Sequence, residues 1–132
     1  SLLGIEKARI EASTKIKIID DKLKQLDSIN KSDDIYLFTT LVNDSSLMPI
    51  FSEVIEKDST LSELETIFTD SDLRIKDLKK ERELAFKSFK KQLKGYLESQ
   101  KENQISIKEE ENIKEKEKED LLNFLNDDED EW

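Results

Sequence analysis

The 132-residue chain carries 22 Lys and Arg against 32 Asp and Glu, a net charge of −10, with 41% charged and 35% hydrophobic residues, two glycines, one proline, and no cysteine or histidine. Disulfides, thiol nucleophiles and zinc–thiolate sites are excluded, as is any triad, haem ligand or general base built on histidine. Two glycines cannot supply a dinucleotide fingerprint or a P-loop, the acidic balance opposes a nucleic-acid partner, and no cofactor or metal site is expected.

The apolar share lies below the ~45–50% of ordinary globular chains, and few helix breakers among many Lys, Glu, Leu and Ile predict long helices. Residues 1–97 hold 17 basic and 18 acidic side chains, a net of −1, whereas residues 98–132 hold 5 and 14, a net of −9. The imbalance therefore belongs to the last 35 residues.

Residues 2–29 read as one helix with a heptad seam: Ile16 and Leu23 at a, and Ile5, Ala12, Ile19 and Leu26 at d. Arg9 falls at an a position, and Ile10 and Ile18 lie off the seam on a second apolar face. Asn30, Ser32 and Asp33 end this helix. Two short helices are expected over 34–57, one around Ile35–Val42 and one around Leu47–Ile55, the second opened by Pro49. Thr60 with Glu63 reads as a capping box that starts a further helix through Leu61, Leu64, Ile67 and Phe68. After Thr69–Asp72, with Asp70 or Ser71 as N-cap, a long helix covers 72–101.

The stripe on that last helix is Ile75, Leu78, Phe86, Phe89, Leu93 and Tyr96, with Arg82 inside it and Gly95 as a weak point. Beyond it, 102–132 is expected to be a charged helical extension or a disordered acidic tail, separate enough that truncation after residue 101 leaves the thermal midpoint almost unchanged. The fold class is all-α: an elongated antiparallel helical hairpin or coiled coil, residues 1–101, with the short helices of 34–68 capping one end. Its core would be Ile16, Ile19, Leu23, Leu26, Leu78, Phe86, Phe89 and Leu93.

No run approaches the ~20 apolar residues of a membrane span. Asp70, Asp72 and Glu81 occupy calcium-loop positions, but Arg74 and Ile75 break the register, so capping explains them better. The adjacent carboxylates are helix-surface runs without the facing, buried geometry that acid–base catalysis needs. The feature left over is a basic stretch, Lys76, Lys79, Lys80, Lys87, Lys90, Lys91 and Lys94, the candidate contact for a partner or a glycan.

The run Leu61-x-x-Leu64, Phe68-Thr69-Asp70-Ser71-Asp72, then Ile75-x-x-Leu78 and Arg82, resembles the polysaccharide chain-length determinants, the Wzz/GumC type of polysaccharide co-polymerase. A leucine-spaced helix, an aromatic residue, a short acidic turn and a long helix follow one another in that family too. Leu73 stands where the family usually has proline, and Gly95-Tyr96-Leu97-Glu98 is similar to a run further along its helix. The resemblance spans about residues 1–101 and leaves 102–132 without a counterpart. It implies a non-catalytic, oligomer-forming extracytoplasmic domain, excised from an inner-membrane protein whose spans lie outside this sequence. That domain would sit in the periplasm and act with a polymerase and the growing glycan to set surface-polysaccharide length. The composition equally fits a coiled-coil adaptor that binds partner helices.

Overall fold

A computed structural model describes residues 2–30, 36–37, 41 and 47–130 of the chain. Among the described residues there are three α-helices and no strand: α1, Leu2–Ser28; α2, Met48–Glu65; and α3, Leu73–Asp130. The fold is all-α. The first expected short helix, around Ile35–Val42, lies largely outside the described residues.

In α1 the d positions are the buried ones. Ile5, Ala12, Ile19 and Leu26 are 7%, 2%, 8% and 0% exposed, whereas Ile16 and Leu23 at a are half-buried. A spacing of seven holds one row against the partner helix, and the a row faces the flank of the contact. Ser28 donates to the Gln25 carbonyl at 2.6 Å, Ile29 N–H to the Leu26 carbonyl at 3.1 Å, and Lys90 Nζ to the Ile29 carbonyl at 2.8 Å. These bonds satisfy carbonyls that the helix end leaves open, and the lysine charge suits that end of the dipole.

The second short helix and the helix after Thr60 form one helix, α2, so Thr60–Glu63 does not act as a capping box. Pro49 sits in the first turn, where its missing N–H has no partner to lose. The physical reason for the continuity is the seam Leu47, Phe51, Val54, Asp58, Leu61, which steps by four, three, four and three straight across Ser59 and Thr60. Its four apolar members are 7%, 5%, 1% and 1% exposed. Interrupting the helix would break that row; Ser59 and Thr60 are exposed and cost only their weak helix propensity.

The helix closes on Glu63 and Leu64, whose carbonyls accept from Thr66, Ile67 and Phe68 N–H at 3.3, 3.0 and 2.8 Å. The N-cap of α3 is Asp72, not Asp70 or Ser71. Asp72 Oδ1 accepts the Arg74 N–H at 2.9 Å, and its backbone carbonyl accepts from Lys76 at 3.1 Å.

The long third helix runs on to Asp130, so of the two forms expected beyond residue 101 the charged helical extension is the one that 102–130 takes. Its apolar stripe ends at Leu97, and a row of half-buried polar residues takes over: Lys101, Gln104, Lys108, Glu111, Glu115 and Lys118. That row keeps the steps of three and four that a helix–helix contact demands.

The chain divides into two compact units: Ser1–Asp21 with Glu98–Trp132, and Lys22–Leu97. The first contains the start of α1 and the end of α3, antiparallel: Arg9 pairs with Glu115, and Asp20 with Lys101 at 2.7 Å. The second contains the end of α1, all of α2 and the start of α3. There Phe51 meets Phe89 with ring centroids 5.4 Å apart, and Asp58 meets Arg82 at 3.0 Å, so α2 also runs antiparallel to α3. This division crosses both long helices.

Candidate interaction surface

The core residues expected from the sequence divide by depth. Ile19, Leu26, Phe86, Phe89 and Leu93 are buried, and Ile16, Leu23 and Leu78 half-buried. Ile75, Leu97, Phe51, Val54 and Leu61 join them at 0–5% exposure, so α2 supplies much of the apolar interior of the second unit.

The basic stretch also divides. On α3 the residues Lys79 and Lys90 point along the flanks and are half-buried. Lys79 pairs with Asp70 at 3.4 Å, and Lys90 reaches both the Ile29 carbonyl and Asn30 Oδ1, the latter at 3.3 Å. Lys94 stands 3.9 Å from Asp27. These three serve the fold. Lys76, Lys80, Lys87 and Lys91 form an exposed row, with Leu73 and Leu84 beside them at 70% and 69% exposure. Among the described residues none of the four has an ion-pair partner. Helical period explains the division, because positions 76, 80, 87 and 91 recur on the side away from Ile75, Phe86, Phe89 and Leu93.

Acids that resembled a calcium loop are spent on neighbouring cations: Asp70 on Lys79, Asp72 on Arg74, and Glu81 on Lys57 at 3.7 Å. Arg74 folds back on Asp72 with Nε and Nη2 each 3.0 Å from its carboxylate, and its guanidinium lies 3.6 Å from the centre of the Phe68 ring. Those hydrogen bonds hold the Asp72 carboxyl below its ordinary range and push the Arg74 guanidinium up. The described residues contain no group of three or more acids placed to hold a metal ion.

Two features escape a reading based on apolar residues. One is the Asp58–Arg82 pair, with side chains 20% and 16% exposed. The spacing of Asp58 within the α2 seam is the signal that would have found it. The other is the first unit, where Ile5, Ala12 and Ile19 pack with the end of α3 although its inward row is charged. Aliphatic stems of lysine and glutamine cover apolar surface while their heads reach water or a counter-ion. That unit leaves a second row on α1 open: Leu3, Ile10 and Ile18, at 79%, 57% and 49% exposure.

No protein-family model, curated protein or solved structure matches this chain. No helix among the described residues is long and apolar enough to cross a membrane.

Proposed function

We propose that the chain is a non-catalytic helical interaction module that associates with further helices, copies of itself included. The observation that carries this reading is the row Leu3, Ile10 and Ile18. Single exposed apolar residues are ordinary. Three at spacings of seven and eight, beside a seam already in use, make a second contact face on one helix. Thermal unfolding followed by circular dichroism tests it. Self-association makes the midpoint rise with protein concentration; a midpoint independent of concentration contradicts it.

A narrower reading follows from the resemblance: an oligomerising periplasmic domain of an inner-membrane regulator of polysaccharide chain length. Its support is the placement of the resembling residues. Leu61 and Leu64 lie in α2, Phe68 to Asp72 form the turn, and Ile75, Leu78 and Arg82 open α3. On this reading the homo-oligomer works with a polymerase, and the exposed lysines touch the glycan. A parent sequence with an apolar segment of ~20 residues on each side supports it; a parent without them removes it and leaves the adaptor reading.

A further inference from the structure

In the second unit, Lys80, Leu84, Lys87 and Lys91 succeed one another on α3 at steps of four, three and four, all exposed. In the first unit, Glu98, Glu102, Ile105 and Glu109 repeat the same steps, with the glutamates exposed and Ile105 half-buried. Steps of four, three and four keep each set on one helix face. None of the six charged residues has an ion-pair partner among the described residues.

We propose that two copies of this chain join through these sets in antiparallel fashion, the lysine set of one against the glutamate set of the other. Run in opposite directions, the sets match at every position. Lys91 stands opposite Glu98, Lys87 opposite Glu102, Leu84 opposite Ile105, and Lys80 opposite Glu109. Run in the same direction they put Leu84 against Glu102 and Lys87 against Ile105, and an in-register parallel pair sets like charge against like. Charge complementarity therefore selects both the occupant and its direction. Each copy carries both sets, so a second copy supplies the set that complements either one. Exposed pairs of this kind are individually weak and screened by salt, so the dimer is salt-sensitive.

This contact rests on the self-association reading and not on the narrower one, since copies anchored side by side in one membrane run parallel and do not form it. Its test uses light scattering on the 132-residue chain and on two triple variants, K80E/K87E/K91E and E98K/E102K/E109K, with circular dichroism verifying their helix content. The parent chain is expected to dimerise at about 0.05 M salt and to lose about tenfold or more in association constant at about 0.5 M. Each variant alone should lose this salt-sensitive dimer, because all its facing charges are then alike. Their equimolar mixture should regain the dimer, because each reversed set meets its opposite. Variants that associate like the parent, or a mixture that stays monomeric, overturn the contact while a self-associating parent leaves the broader reading standing. A monomeric parent removes both, and one that instead binds a polyanion through its lysines assigns that row to an acidic glycan.

Discussion

Asp58 and Arg82 occupy places in the seams of α2 and α3 where apolar residues would be expected, and each is tolerated because it faces the other at 3.0 Å. Half-buried charges lose more when one partner is removed than when both go. Asp58→Ala should destabilise by about 1–2 kcal/mol in urea unfolding, the exposure of the pair keeping the loss below that of a fully buried one. The double replacement Asp58→Leu with Arg82→Met should cost less than the single one. A neutral Asp58→Ala would mean that the seam of α2 does not need this pair. At the turn, Asp72 titrates below its ordinary value because Arg74 hydrogen-bonds its charged form. A depressed carboxyl stabilises the fold at pH above the unfolded value of ~4, and that contribution disappears as pH falls through the lower folded value. An NMR titration of Asp72 should show the depressed midpoint, and Arg74→Ala should raise it towards the unfolded value; no change on substitution contradicts the clasp.

Much of α1 was legible because its buried row, Ile5, Ala12, Ile19 and Leu26, repeats every seven residues. The unity of α2 was not, and the reach of α3 was left between helix and disordered tail, for one reason: in both the contact row continues through charged residues. A search for apolar periodicity stops at Asp58 and again after Leu97, although the geometric steps go on. The expectation that truncation after residue 101 leaves the thermal midpoint almost unchanged therefore gives way to the opposite prediction. Arg9 pairs with Glu115, so removing 102–132 strips the partner from the start of α1. Truncation after Lys101 should lower the thermal midpoint and lose more helix by circular dichroism than the deleted residues account for. A loss equal to the deletion would show that the two segments do not support each other. Within α3, a Cβ added at Gly95 meets nothing within 4 Å. Gly95→Ala should then stabilise the chain by about 0.5–1 kcal/mol, chiefly by removing backbone freedom from the unfolded state. A destabilised variant would place something against this face that the single chain does not contain.

For the whole molecule, the uneven charge gains a meaning that the net value hides. The excess of acid belongs to the end of α3, while the exposed lysine row belongs to its beginning, so copies of one chain carry complementary surfaces despite a net charge of −10. The candidate surface was only half legible in sequence. The lysines were evident, but which of them stabilise the fold depends on the placement of Asp27, Ile29 and Asp70, which residue spacing along α3 does not reveal. Sedimentation equilibrium of the intact chain over a range of concentrations tests self-association most directly. At low ionic strength the mass should climb from 15.5 kDa towards twice that value as concentration rises, and fall back when salt is added. A mass of 15.5 kDa at every concentration and ionic strength would contradict the account.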